Sequence, residues 1–266
     1  MKTTFVTALS VALALVSSSA DASRNDIQRK LILGGSIVKA KAKTYTVGLR
    51  TSEDGESFCG GTLVSPIHVL TSSQCTAKNI RWASIGSHYL SGAKDGEQIK
   101  VASVMNHPNF SVNIDFSDDF ALLELETVSS FKPVKLAAAD DSDFKAGATA
   151  TAIGWGLTGE NGVMSKELRS VDLTLISDKE CAQLATIDDS MMCVGGVISE
   201  GACGGDTGGP LVVESADGGQ DELVGVVSWS KDNACGQGPS YPGMYSRVHV
   251  LEAGLILSFV ARASIR

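Results

Sequence analysis

Short apolar-rich runs recur along the chain between turn signals. They include Thr44 to Arg50, Gly61 to Thr71, Ile99 to Met105, Phe120 to Leu125, Ala148 to Gly154, Leu168 to Ile176, Leu211 to Val213 and Leu223 to Trp229. The 28 glycines supply the turns between them. This is the pattern of an all-β barrel or sandwich, without the strand–helix alternation of βαβ units. One stretch has a different period: Leu251, Leu255, Ile256, Phe259 and Val260 fall on one helical face. That spacing predicts a C-terminal amphipathic α-helix docked on the β core.

The N-terminus reads as a leader. A basic start at Lys2 precedes an apolar run from Phe5 to Val16 and then small residues ending in Ala20-Asp21-Ala22. This predicts a secretory signal peptide over 1–22, cleaved after Ala22, and a secreted chain. The run is too short to span a bilayer, and no later run reaches spanning length. The formal net charge of −8 is unchanged by that cleavage, because Lys2 and Asp21 cancel. An acidic chain without a basic stripe points away from nucleic acid and from anionic membrane as partners. The segment Phe131 to Gly147, with Asp140, Asp141 and Asp143, reads as a polar linker between two halves.

All six cysteines follow the leader: Cys59, Cys75, Cys181, Cys193, Cys203 and Cys235. An even count behind a signal peptide predicts three disulfides, with the connectivity open. No Cys-x-x-Cys pair is present and the histidines lack ligand spacing, so neither a metal nor any other cofactor is expected.

The segment Gly204-Gly205-Asp206-Thr207-Gly208-Gly209-Pro210 resembles the nucleophile loop of chymotrypsin-like serine proteases, Gly-Asp-Ser-Gly-Gly-Pro, with threonine in place of serine. Leu70-Thr71-Ser72-Ser73-Gln74-Cys75 resembles the loop of the general base, with Gln74 where the family has histidine. Asp119-Phe120-Ala121-Leu122-Leu123 resembles the stretch carrying the catalytic aspartate. Ile32-Leu33-Gly34-Gly35, Cys59-Gly60-Gly61-Thr62-Leu63, Gly154-Trp155-Gly156, Ser228-Trp229 and Pro242-Gly243-Met244-Tyr245 resemble further family landmarks, in the family's order.

The resemblance implies two antiparallel six-stranded β-barrels with the site in the cleft between them. It implies a pro-like segment over 23–31 and a trypsin-like domain over 32–266. Within that domain the N-terminal barrel covers about 32–131, the linker about 132–146, and the C-terminal barrel with its helix about 147–266. It also implies the disulfides Cys59–Cys75, Cys181–Cys193 and Cys203–Cys235, and oxyanion-hole-like backbone N–H groups at Gly205 and Thr207.

Acyl transfer by such a site needs a hydroxyl nucleophile, an imidazole that shuttles its proton, and a buried carboxylate that orients the imidazole. Asp119 offers the carboxylate. Gln74 has no group that titrates near neutral pH, so it cannot be the base. The β-methyl of Thr207 stiffens its χ1 and crowds the line of attack. Losing the serine or the histidine of such a triad costs about 10⁶ in turnover in the subtilisin case. None of His68, His88, His107 or His249 lies where the resemblance places the base.

Three further departures follow from the same resemblance. Leu31 precedes Ile32, so cleavage after Lys30 leaves a terminus one residue too long to pair with Asp206. Gly201 and Ala202 stand on the specificity-pocket floor, without the acid that selects lysine or arginine. Ser230 replaces a glycine beside the substrate strand, and Gly243 lies opposite. Asn109-Phe110-Ser111 is a sequon for N-glycosylation on a surface loop.

In size, signal peptide, cysteines and degenerate triad (Gln74, Asp119, Thr207), the chain resembles the glucanase inhibitor proteins of oomycete plant pathogens. That resemblance implies a secreted effector, a proteolytically inactive serine protease homologue. Its partner would be a host plant endo-β-1,3-glucanase in the apoplast, and binding would suppress glucan-elicited defence. The alternative is a weak or atypical secreted endopeptidase using Thr207. A carbohydrate-binding module is disfavoured, since aromatics make up only 6% of the chain.

Overall fold

Six strands near the N-terminus close into a barrel in a computed structural model that describes residues 34–159, 162–215 and 219–249. The strands in chain order are β1 (Ser36–Ile37), β2 (Thr46–Arg50), β3 (Cys59–Ser65), β4 (His68–Thr71), β5 (Trp82–Ile85), β6 (Glu97–Asn106) and β7 (Ala121–Leu125). They continue as β8 (Lys135–Leu136), β9 (Thr149–Gly154), β10 (Arg169–Ile176), β11 (Met191–Val194), β12 (Pro210–Val213), β13 (Glu222–Ser230) and β14 (Gly243–Arg247). The first barrel runs β2-β3-β4-β7-β6-β5 and closes by pairing β5 back on β2. The second runs β9-β10-β11-β14-β13-β12 and closes by pairing β12 back on β9. All of these ring pairings are antiparallel. The chain is therefore all-β, built from two six-stranded barrels.

The period-two pattern explains the strands. Along β10, Arg169, Val171, Leu173 and Leu175 are buried, whereas Asp172 and Thr174 face solvent. The run Gly61 to Thr71 is not one strand but parts of two, β3 and β4, broken at Pro66 and Ile67. Proline lacks the N–H that a central strand needs. The short α-helix α1 (Asp178–Leu184) was not expected from hydrophobic periodicity. Ser177 caps it, accepting from the Glu180 N–H at 3.3 Å while its hydroxyl donates to Glu180 Oε2 at 2.7 Å. The Glu180 carboxylate thus reaches back to the Ser177 hydroxyl, not to the Ser177 backbone N–H as in a capping box. The expected C-terminal helix, the signal peptide and the Ile32 region lie outside the described residues.

The two barrels share an apolar seam. Leu49, Leu63 and Leu123 of the first barrel pack in one cluster with Ile153, Val212 and Val226 of the second. The linker is strapped down rather than loose. β8 pairs in parallel with β13, and Val134 N–H donates to Leu63 O at 3.0 Å. Asp141 of the same segment binds Arg247 Nη1 at 2.7 Å, and the Arg247 guanidinium lies 4.4 Å from the Phe144 ring. Disulfides join Cys59 to Cys75, Cys181 to Cys193 and Cys203 to Cys235. Each contributes roughly 2–4 kcal/mol by restricting the unfolded chain.

Candidate functional site

The cleft lies where the start of β7, the turn after β4 and the loop before β12 converge. Ser72 caps the short 3₁₀ turn Ser73–Ala77 and so fixes the position of Gln74. Cys75 in the same turn is tied to Cys59, which anchors the turn to β3. The Asp119 side chain enters from the segment preceding β7 and is fully buried.

The Gln74 side chain occupies the place of an imidazole donor. Its Nε2 donates to Asp119 Oδ2 at 2.7 Å and to Ser228 O at 3.1 Å. Asp119 Oδ2 also accepts from Ser72 Oγ at 2.7 Å and Ser228 Oγ at 2.6 Å. Its Oδ1 accepts from the Gln74 backbone N–H at 3.1 Å. The buried carboxylate is thus saturated with donors, which is the condition for holding such a charge away from water. The amide reproduces the donor of a histidine but none of its proton transfer.

Thr207 stands on the other side of the cleft. Its carbonyl accepts from the Gly60 N–H at 2.8 Å, stitching the nucleophile loop to β3. Among the described residues its hydroxyl makes no hydrogen bond, and the N–H groups of Gly205 and Thr207 have no intramolecular acceptor. The positive φ of Gly205 (97°) and Gly208 (83°) shapes this loop.

Asp206, beside Thr207, points into the second barrel. Gly156 N–H donates to Oδ1 at 2.7 Å and Cys203 N–H to Oδ2 at 3.0 Å. No cation pairs with it among the described residues. Burial raises its pKa to about 6, the two backbone hydrogen bonds only partly opposing the shift. Gly154 and Gly156 form its cradle, since a Cβ at either would overlap the carboxylate.

The cleft encloses about 360 Å³ and is lined by Gln74, Thr207, Ala202, Ser230 and Gly243, with Phe116 and Trp229 at one side. Among the described residues, no aspartate, glutamate, lysine, arginine or histidine lines it. Below it, a space of about 10 Å³ is bounded by Gly201, Ser230, Gly243 and Tyr245. Glu200 also borders that space, its side chain lying against Gly34. Burial holds the Tyr245 phenol far above its ordinary range, so it stays neutral.

The structure thus brings together Gln74, Asp119, Thr207, Ala202, Ser230 and Gly243, and leaves all four histidines outside the cleft. His68 bonds Ser65 Oγ, His88 faces Glu167, His107 accepts from the Asn109 N–H, and His249 faces Asp141. Burial lowers the pKa of His68 and His107. Sequence reasoning missed the roles of Ser72 and Ser228 as donors to Asp119. It also missed Phe116, whose ring stacks on Trp229 at 5.7 Å between centroids. Ser72 carried a usable signal, a serine directly before a turn, which is an N-cap position. Asn109 is exposed on the loop after β6.

Two closed barrels, a cleft between them and a buried carboxylate facing a nucleophile-type loop define the trypsin architecture. The trypsin family model matches residues 32–253, and the chain belongs to that family. Within it the chain is similar to Glucanase inhibitor protein 3 of Phytophthora infestans, at 49% identity over 247 residues, covering 91% of this chain and 92% of that one. It is also similar to Glucanase inhibitor protein 2 of Phytophthora sojae, at 44% identity over 250 residues, covering 92% and 84%. A trypsin of Saccharopolyspora erythraea is more distant, at 33% identity over 224 residues, covering 82% and 93%.

Proposed function

We propose that this protein is a secreted, proteolytically inactive member of the trypsin family that binds and inhibits a host plant endo-β-1,3-glucanase in the apoplast. The observation that carries the loss of proteolysis is the Gln74 Nε2 to Asp119 hydrogen bond of 2.7 Å. It fills the position of the general base with a group that cannot accept and return a proton. The identity of the target is supported by the names of the relatives, glucanase inhibitor proteins at 44% to 49% identity. Three disulfides suit an oxidising, extracellular setting. The unpaired N–H groups of Gly205 and Thr207 form an oxyanion-hole-like pair that binds a carbonyl without cleaving it.

The test is hydrolysis of a soluble β-1,3-glucan by a purified plant endo-β-1,3-glucanase, with increasing amounts of this protein. Stoichiometric loss of glucanase activity is expected; an unchanged rate at saturating protein would sink the reading. A fluorogenic peptide panel should show no turnover above that of Thr207→Ala. Turnover that disappears in Thr207→Ala would instead establish an endopeptidase. Asn109 is proposed as an N-glycan acceptor. The secreted protein should lose mass on amidase treatment, and Asn109→Gln should abolish that shift.

A further inference from the structure

Among the described residues no charged side chain lines the cleft, yet two charges stand close behind it. Asp119 is buried behind Gln74, and Asp206 is buried beside Thr207. An anion entering the cleft would meet these carboxylates without a lysine, arginine or histidine in the lining to offset them. A cation fares no better. Asp119 is closed off by four donors, and Asp206 is held by two N–H groups inside the second barrel. The occupant that such surroundings select is neutral.

The cleft also holds donors that the fold does not answer. The hydroxyl of Tyr245, a residue 1% exposed, has no hydrogen-bond partner among the described residues, nor does the buried Nε1 of Trp229. Both residues line the cleft. The hydroxyls of Thr207 and Ser230 and the N–H groups of Gly205 and Thr207 are likewise unpaired among the described residues. Buried polar groups are nearly always satisfied, so such a gathering points to a ligand rich in acceptors. An incoming peptide strand brings an N–H for every carbonyl, and the Ser228 carbonyl on the β13 wall is already taken by Gln74 Nε2 at 3.1 Å. The remaining surface is aromatic. Phe116 and Trp229 stack at 5.7 Å with 29° between their planes. Phe116 keeps this place in a left-handed backbone conformation, φ 64°, which is unusual for a bulky residue. Its N–H donates to Ser111 Oγ at 2.9 Å, and its loop is tied to the second barrel by the Asp118 N–H donating to Ser190 Oγ at 2.8 Å. Strained positions of this kind persist where their surroundings over-determine them, and they cluster at binding sites.

We infer that the cleft binds an uncharged carbohydrate, a short stretch of pyranose rings from an oligosaccharide. Such a ligand brings C–H faces for Phe116 and Trp229, hydroxyl oxygens for the unmet donors, and no charge. The enclosed space of about 360 Å³ lies at the lower end of the range of small-molecule sites, roughly 300–1,000 Å³. The low aromatic content of the whole chain is no obstacle, since the site needs only one pair of rings. Because that pair is fixed before any ligand arrives, little ordering remains to be done on binding. Sugar binding of this kind is independent of glucanase inhibition.

The experiment is a calorimetric titration of the secreted protein with three neutral trisaccharides, laminaritriose, cellotriose and chitotriose. Trigalacturonate serves as the anionic counterpart and a blocked tripeptide amide as the neutral peptide. Saturable binding of at least one neutral trisaccharide is expected, tighter than that of trigalacturonate or the peptide. Thr207→Val, Tyr245→Phe and Phe116→Ala should each weaken it by at least about fivefold, or about 1 kcal/mol. Thr207→Val and Tyr245→Phe remove hydroxyls that bond nothing in the free protein, so neither should lower the melting temperature. That pairing of lost binding with kept stability is what a merely structural role would not give. The site is overturned if no trisaccharide binds at millimolar concentration, or if trigalacturonate or the peptide binds as tightly. It is equally overturned if trisaccharide binding is unmoved by all three variants, which would place the sugar elsewhere. Glucanase inhibition that persists in any of these cases leaves the inhibitor reading standing.

Discussion

Asp119 and Asp206 are two buried carboxylates, one behind Gln74 and one beside Thr207, and they are treated very differently. Asp119 accepts from two serine hydroxyls, a side-chain amide and a backbone N–H. Asp206 accepts from two backbone N–H groups and meets no cation among the described residues. The base side of the site has been rebuilt as a closed hydrogen-bond network around an amide. The nucleophile side keeps a carboxylate whose charge is only partly compensated, which is why its pKa rises to about 6. One carboxylate is therefore structural and the other sensitive to protons.

The comparison can be broken most severely at Asp119. Asp119→Ala strands the donors of Ser72, Ser228 and Gln74 in a buried site and should cost about 3–5 kcal/mol in urea unfolding. A loss below about 1 kcal/mol would show that the network is not the support described here.

Asp206 should give the next largest effect, read through pH. Its folded pKa of about 6 lies above its ordinary value of 3.8, so the folded state holds the proton more tightly. Stability is then greatest below about pH 4 for this group and falls as pH rises to about 6, by on the order of 3 kcal/mol. In Asp206→Asn that fall should be absent. A wild-type profile that is flat or rising, once compared with Asp206→Asn, would show that a cation reaches the carboxylate.

Gln74→Leu removes one strong donor and should cost about 1–3 kcal/mol, while Gln74→His should restore most of it through an imidazole N–H. Combining Gln74→His with Thr207→Ser should leave glucanase inhibition in place, since inhibition by binding requires no chemistry from either side chain. Peptide turnover should remain at background, because Ser230 stands where the family has a glycine and no cation meets Asp206 among the described residues. Loss of inhibition would place the interface in the cleft floor. The smallest expected effect is Ser177→Ala, about 1 kcal/mol from the lost cap of α1, and it should not touch either carboxylate.

Much of the architecture was legible because β-strands announce themselves by alternation and glycine-rich turns. The runs at Phe120, Ala148, Leu168 and Leu223 fall on β7, β9, β10 and β13. α1 was harder to read, because a seven-residue helix buries only Cys181 and shows no apolar stripe. The spacing of Ser177 and Glu180, three residues apart, was the available clue. Of the site, the sequence named the altered positions but not their geometry. That Gln74 turns its amide nitrogen toward Asp119 depends on Ser72 and Ser228 closing around the same oxygen, a convergence from three separate segments. The strapping of 132–146 was equally invisible, since it depends on Arg247, more than a hundred positions away, meeting Asp141 and Phe144.

The hydrogen bond from Gly60 N–H to the carbonyl of Thr207 separates what the loop does for the fold from what its side chain once offered to substrates. The backbone of residue 207 fastens one barrel to the other, and the side chain fastens nothing among the described residues. Exchange of the hydroxyl-bearing group is therefore mechanically free at this one position. At Gly154 and Gly156 any side chain collides with a carboxylate. Residue 207 therefore has an open route to change, and Gly154 and Gly156 almost none.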